Sequence, residues 1–506
     1  MIKRIIYFII ITGQFLVSEI VFSQEQITIL HTNDIHGNYL HKKTKKRKGR
    51  EQIEYSGLSL LNSYVRQIQE ETDNNYLLFD AGDFMTGNPI CDIEYEGVKG
   101  GALIYFFNRI GYHGLTIGNH EFDVSVDNCQ KLIKLCKFPV VSSNVFYSNG
   151  ELFAPEAYHI YEKGNLRVGV IGAIVHDLAG YLNLEQKKQI YSEPPLEIVE
   201  SIAEKIDPET DLIIVLTHIG LQSDRRLAAR LSDRVDIIIG GHSHNKLTKP
   251  SIIKGKLIVQ AASNCRQLGR LDITVAADTI QSFNGRLIFL KDTGIERDSA
   301  FEQEIDKYTQ IIDRQYNKVI GELTALWNRN NQEESAVGNF ITDCIRESAQ
   351  ADFAVLNSGG IRSGLHKGPI KAIDIKRILP FTNPVCVFEM SGRQIMNIIR
   401  KNIRAAAYRT HGILQVSGLH YRWFLDEVGN IVIPSATIKD EPIDPHKIYK
   451  GASVDYVMAN TKKYMGINEV QFENLYLPIA DIVIKAIERK KIITPQLEDR
   501  IVRAEI

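Results

Sequence analysis

Neither sign of charge prevails in this chain: 60 lysines and arginines stand against 61 acidic residues, a formal charge of −1 over 506 residues. A dedicated nucleic-acid binder carries a clear positive excess, so a nucleic-acid polymer is excluded as the main partner. Cysteine is scarce, with six residues at 91, 129, 136, 265, 344 and 386 and no CxxC pair, which excludes a disulfide-stapled mini-fold. Long apolar runs are missing except at the N-terminus, and that removes multi-pass membrane proteins. With 36 glycines and 15 prolines, the chain is neither collagen-like nor intrinsically disordered. What is left is an ordinary globular composition, 44% hydrophobic and 24% charged, in a chain too long for one compact core.

The N-terminal run has the order of an export signal. Met1-Ile-Lys3-Arg4 is basic, Ile5 to Val17 is largely apolar, and small and polar residues follow at Ser23-Gln24. Gln14 and Glu19 interrupt a run already too short for a membrane anchor. A signal peptide over 1–23 and a mature chain in the periplasm or outside the cell are therefore expected, with no membrane span after cleavage. The charged C-terminal ten residues do not suit a lipid-anchor tail. Cys129 and Cys136, seven apart on one expected helix, stand about 10 Å apart, too far for a bridge; most of the thiols read as buried fillers.

From Gln26 to about Leu290, short β-like runs alternate with helical ones, which predicts a layered α/β domain. Strands are expected at 27–30, 76–79, 115–117, 140–141, 167–171, 212–216, 235–239 and 256–259, and helices at 59–70, 126–135, 195–205 and 224–231. The polar stretch 293–318 reads as a connecting helix or linker, and a second mixed region occupies 319–506. The basic run from Lys42 to Arg50 lacks aromatic neighbours for base stacking and reads as a solvated loop.

Five polar clusters each follow a strand-like run: His31-Thr-Asn-Asp34-Ile-His36-Gly37, Asp80-Ala-Gly82-Asp83, Gly118-Asn119-His120-Glu-Phe-Asp123, Thr217-His218-Ile-Gly220 and Gly240-Gly-His242-Ser-His244. Carboxyl ends of strands form the ligand-binding rim of layered α/β folds, so the five are expected to converge. Asp34 and His36, two apart, are expected on an extended segment with both side chains on one face, and His242 and His244 likewise. One histidine after a strand is most often an ordinary core or surface residue; five clusters in this order are not an accident of composition. A carboxylate-and-imidazole set without cysteine suits Zn, Mn, Co, Fe or Mg. Seven donors, Asp34, His36, Asp83, Asn119, His218, His242 and His244, exceed what one ion needs and fit two ions sharing a carboxylate. Asp80 is read as structural.

This ordered set resembles the calcineurin-like metallophosphoesterases, and the forms HTNDIHG and GNHEFD look like their 5′-nucleotidase/UDP-sugar hydrolase branch. In the second region, Glu334-Ser-Ala-Val-Gly338-Asn339, Asn357-Ser-Gly-Gly-Ile-Arg362 and Leu379-Pro-Phe381 look like that family's C-terminal substrate domain. The resemblance implies a four-layer αββα catalytic domain over 24–292 and a mixed α/β substrate-binding domain over 319–506. It implies two divalent cations, Zn, Mn or Co. One would be held by Asp34, His36, Asp83 and His244, the other by Asp83, Asn119, His218 and His242. It further implies release of phosphate from nucleoside 5′-monophosphates, with UDP-sugars or cyclic nucleotides as further substrates, by in-line attack of a metal-activated hydroxide. His120 would face the substrate and Asp123, three residues on, would hydrogen-bond it; a helix N-cap is the alternative for Asp123.

Asn357, Arg362, Phe381 and Tyr456 would bind the nucleotide, the arginine as a planar fork and the two rings as a base sandwich. A surface ion pair for Arg362 and a core position for Phe381 are the plainer alternatives. Two departures stand out. The family's Gly-Gly-Asp-Gly turn after the second aromatic is replaced by Asn460-Thr-Lys-Lys-Tyr-Met-Gly466, without an acid, and Arg329 lies further upstream of Glu334 than the family's arginine. Other ester hydrolysis on the same metals, or nucleotide binding without catalysis, are the alternative functions.

Overall fold

The structure is a computed structural model and describes residues 24–39, 46–47, 50–51, 57–291, 294–381 and 383–504. The expected signal peptide lies outside the described residues, as does most of the basic run 42–50.

Runs of β-branched and aliphatic residues build two six-stranded sheets in the first half. Strands β1 (Glu25–Thr32), β2 (Tyr76–Asp80), β3 (Gly114–Thr116) and β4 (Val140–Val141) lie parallel in that order. The second sheet holds β5 (Tyr158–Lys163), β6 (Leu166–Ile174), β7 (Leu212–His218), β8 (Ile237–Gly240), β9 (Ser251–Ile253) and β10 (Lys256–Val259), with β6, β7, β8 and β10 parallel. The chain then returns through the antiparallel hairpin β11 (Gln267–Ala276) and β12 (Thr279–Phe289), and β11 joins the free edge of β1.

Alternation along each strand decides what lies between the sheets. Ile27, Ile29, Leu77 and Phe79 of the first sheet meet Val168, Val170, Ile214 and Leu216 of the second in one buried layer. The intervening residues Leu30, Leu78, Ile213 and Val215 face outward into a cluster that includes the helical Leu61, Val65, Val199 and Ala203. Helices thus cover both outer faces, which gives the four-layer αββα arrangement. Register aligns the carboxyl ends at one rim: Thr32 pairs with Asp80, Ile174 with His218 and Thr217 with Gly240.

The connecting segment contains a helix, Ser299–Tyr316, capped by the Asp298 carboxylate, which accepts from the N–H groups of Ala300 and Phe301. It docks on the first domain, burying Phe301, Ile305 and Ile312, with Phe301 5.2 Å from the ring of Phe106. The second domain has its own core, centred on a five-stranded mixed sheet in the order Leu414–Ser417, Phe353–Asn357, Ile448–Val454, Pro384–Ser391 and Phe472–Pro478. All six cysteines are free and five are buried. None of the described helices is long and apolar enough to cross a membrane.

Candidate active site

The loops that follow β1 and β2 are laced together. Asp34 N–H donates to Gly82 O at 2.9 Å, His36 N–H to Asp83 O at 3.0 Å and Gly37 N–H to Phe84 O at 2.8 Å. Sequence spacing suggested an extended segment carrying Asp34 and His36. The structure corrects this: their φ angles are 52° and 51°, in the left-handed region, and His242 and His244 likewise have φ of 75° and 55°. The side chains converge because tight turns bend the backbone around one point, not because they share a strand face. Asp83, at φ 59°, belongs to the same group. Space is short here; a β-carbon on Gly118 would collide with the Asp83 carboxylate, which explains the glycine before Asn119.

All seven expected donors meet. Ligand atoms of Asp34, His36 and His244 lie within 4.8 Å of one another, as do those of Asp83, His218 and His242, while His36, Asp83 and His120 form a third such set joining the two. Asn119 joins through its Oδ1, 2.9 Å from His242 Nδ1.

The donor set fits divalent cations on its own geometry. His218 Nδ1 lies 2.6 Å from Ala81 O and must donate its proton there, leaving the Nε2 lone pair aimed at Asp83 Oδ2, 2.9 Å away without the alignment of a hydrogen bond. His36 Nδ1 is fixed in the same way by Thr86 O at 2.8 Å, so its Nε2 faces His244 Nε2 at 3.1 Å. Facing acceptors of this kind in a buried site are reconciled by a bound cation or, failing that, by a proton on one of the nitrogens. Failing a cation, a proton takes that place on His218 Nε2: burial disfavours the charged imidazole, yet Asp83 outweighs it and holds the pKa up at about 10. Burial pushes His36 down to about 4; it does the same to His242, helped by the charge of His218, so both keep the neutral form that ligates metal.

His120 stands beside this cluster. Its Nδ1 is 2.7 Å from Asp123 Oδ2, which also accepts from Thr86 Oγ1 at 2.5 Å. Burial opposes the imidazolium, but Asp123 and then Asp83 more than offset it and raise the pKa to about 9. The cap of the following helix Val126–Leu135 is Ser125, so the N-cap alternative for Asp123 is not what the structure shows. Asp80 accepts from Thr32 Oγ1 and Gly82 N–H beneath the site, as its structural reading expected.

A cavity of about 380 Å³ opens between the domains and is lined by Asp83, Asn119, His120, Asp123, His242 and His244 on one side and by Asn357, Arg362, Phe381 and Tyr456 on the other. All four expected substrate-binding residues therefore face the cluster. The Phe381 ring lies 5.6 Å from His120, and the Arg362 guanidinium 5.8 Å from the Phe381 centroid. Tyr456 OH donates to Gly180 O across the domain boundary at 3.0 Å. Arg329, which seemed displaced in sequence, donates from Nε to Ile361 O, and the charge of Arg362 adds to burial in lowering its pKa.

Sequence reasoning missed several participants. Tyr181 lines the cavity and its OH lies 3.1 Å from His242 Nε2; no motif surrounds it. Glu121 is fully buried and accepts from the N–H groups of Asp83 (3.0 Å), Met85 (3.0 Å) and Gly118 (2.6 Å). Lys463, Tyr464 and His411 complete the second domain's wall, the first two within the turn that departs from the family pattern.

Residues 27–246 match the family model of the calcineurin-like phosphoesterases, and residues 319–469 that of the 5′-nucleotidase C-terminal domain. Fold and donor set thus define a metal-dependent phosphoesterase. With the second domain joined to it, the chain belongs to the 5′-nucleotidase family of that class and is a hydrolase. It is 27% identical over 469 residues to the 5′-nucleotidase of Vibrio cholerae, covering 81% of each. To the trifunctional nucleotide phosphoesterase protein YfkN of Bacillus subtilis it is 26% identical over 531 residues, a match that covers 94% of this chain and 35% of that longer protein. The solved structure of the 5′-nucleotidase precursor of Thermus thermophilus shares the fold, with a TM-score of 0.81 over 95% of this chain and 99% of that one at 24% identity.

Proposed function

We propose that the chain is an exported phosphohydrolase that holds two divalent cations and releases phosphate from nucleoside 5′-monophosphates. The observation that carries this is the single cavity in which the carboxylate–imidazole cluster, His120 and a wall of Arg362, Phe381 and Tyr456 face one another. Residues 24–292 would form the catalytic domain and 319–506 the substrate-binding domain, joined by 293–318. The basic, apolar and then small residues of 1–23 support export to the periplasm or the medium.

Asp34, His36, Asp83 and His244 would hold one cation and Asp83, Asn119, His218 and His242 the other, Zn, Mn and Co being the best fits to these donors. Bound cations supply Lewis acidity toward the phosphoryl oxygens and lower the pKa of water. The rest falls to the protein. The base is held between Phe381 and Tyr456, and Asn357 and the Arg362 fork orient the phosphoryl end. Asp123 fixes the His120 ring through Nδ1, so that its other nitrogen donates to a phosphoryl oxygen as negative charge grows there. A water oxygen bonds to phosphorus as the P–O bond to the sugar breaks, and the departing oxygen takes up a proton that the water gives up. Phosphate release from AMP or UMP with added Mn, Co or Zn tests the reading. No release with any of them refutes it, and UDP-glucose and 2′,3′-cyclic nucleotides in the same panel separate the alternative esters.

A further inference from the structure

The cavity wall supplied by the second domain carries more positive charge than one phosphoryl group needs. Arg362 sits at one end, beside Phe381 and His120. Lys463 stands elsewhere on the wall, its ammonium 5.9 Å from the ring of Tyr181 and 5.2 Å from that of Tyr464. No carboxylate lines this wall among the described residues, and no ion pair among them includes Lys463. The cavity's two carboxylates, on the opposite wall, are engaged: Asp123 by His120 and Thr86, Asp83 by His218 and the His120 N–H.

A second ammonium group stands nearby, opposed in part by Asp177. Lys187 reaches across from the first domain to donate to Ala459 O at 2.6 Å and to Asn460 Oδ1 at 3.3 Å, three residues from Lys463. Burial, together with the charge of Lys463, depresses the Lys187 pKa, and Asp177 acts the other way. Lys187 thus lies near enough to feel Lys463, with Asp177 acting on it in the opposite sense, and of the two ammonium groups only Lys463 lines the cavity. A neutral sugar edge gains nothing from that field. An anion does.

We propose that the cavity favours phosphomonoesters whose leaving group carries a second anionic group, which Lys463 meets while Arg362 serves the scissile phosphoryl. This rests on the phosphohydrolase reading above. The probes are AMP and adenosine 3′,5′-bisphosphate, with loss of the 5′-phosphate followed by chromatography. For the metal-loaded wild type, kcat/KM should be about fivefold or more higher for the bisphosphate at low salt, and the ratio should shrink as salt screens the contact. Lys463→Ala should bring the ratio to one, Lys463→Glu below one, and Lys463→Arg should keep it high. Equal kcat/KM in the wild type, or a preference that survives Lys463→Ala, overturns the inference while AMP hydrolysis leaves the underlying reading intact. Release from neither substrate overturns both.

Discussion

Glu121→Gln isolates one buried carboxylate that touches no substrate. One Glu121 oxygen accepts from the N–H groups of Asp83 and Gly118, and the other accepts from Met85. The amide substitute has one acceptor and one donor. Its oxygen can keep two of the three bonds, now without charge assistance, and its NH₂ then opposes the third backbone N–H. Burial and then the charge of Asp83 raise the Glu121 pKa to about 7. Above that pH, downgrading two charge-assisted bonds costs about 1–2 kcal/mol, and orphaning one buried donor about 1–3 kcal/mol more, for a loss of about 2–5 kcal/mol. The loosened loop carries Asp83, which belongs to the donor clusters and is held at φ 59°. Metal affinity should therefore fall by about 10–100-fold, as when partners of metal ligands are removed. Urea melts of the metal-free chain read the first quantity, and Mn²⁺ titration by calorimetry the second. A Glu121→Gln chain as stable as wild type and binding Mn²⁺ equally well would refute the claim that this carboxylate fixes the loop.

Three further outcomes are expected. His120→Ala should retain metal, measured by elemental analysis, yet lose about 10²–10⁴ in kcat. Phe381→Ala should raise KM for AMP about tenfold if the ring stacks on the base; equal KM changes for adenine, uracil and base-free substrates would contradict that role. Burial, joined by the charge of Asp207, holds the Asp236 carboxyl up at about 7, against about 3.9 when unfolded, although Ile213 N–H and Lys256 act the other way. The native state therefore binds this proton more tightly, and stability present below pH 4 is lost as pH rises from about 4 to about 7. Asp236→Asn, which can keep the bond from Ile213 N–H, should flatten urea stability across that window and be the more stable chain at pH 8.

Where apolar runs were short and bounded, the elements were legible: the strands at 140–141 and 256–259 and the helix at 126–135 have the expected bounds. The helix Gly101–Ile110 was not foreseen, because GALIYFFNRI is apolar on nearly every face and offers no period to separate helix from strand. The donors were legible because metal chemistry restricts residue type so tightly that seven scattered side chains stand out. Tyr181 and Glu121 were not. A tyrosine beside a histidine and a carboxylate under three N–H groups exist as such only after folding, and nothing in the types Tyr or Glu marks them beforehand. Lys463 lies between these cases: its turn was visible as a departure, but its place on the cavity wall needed the second domain's fold.

The turn geometry also explains why the site acts as one unit. Left-handed φ in Asp34, His36, Asp83, His242 and His244 carries a cost of order 1–2 kcal/mol per residue. Asp34, His36, Asp83 and His242 are each tied by hydrogen bond to a loop that bears another donor. The Asp34 carboxylate accepts the N–H of His242 at 3.0 Å, across 208 positions of sequence, while the Asp34 carbonyl accepts from Asn264 N–H at 2.7 Å. The His36 N–H is held by Asp83 O. Part of the strain is thus borne by hydrogen bonds that tie the donor loops to one another. Removing one donor consequently disturbs the backbone of the next. Losses from single substitutions in this cluster should overlap rather than add, because each breaks part of the same hydrogen-bonded frame.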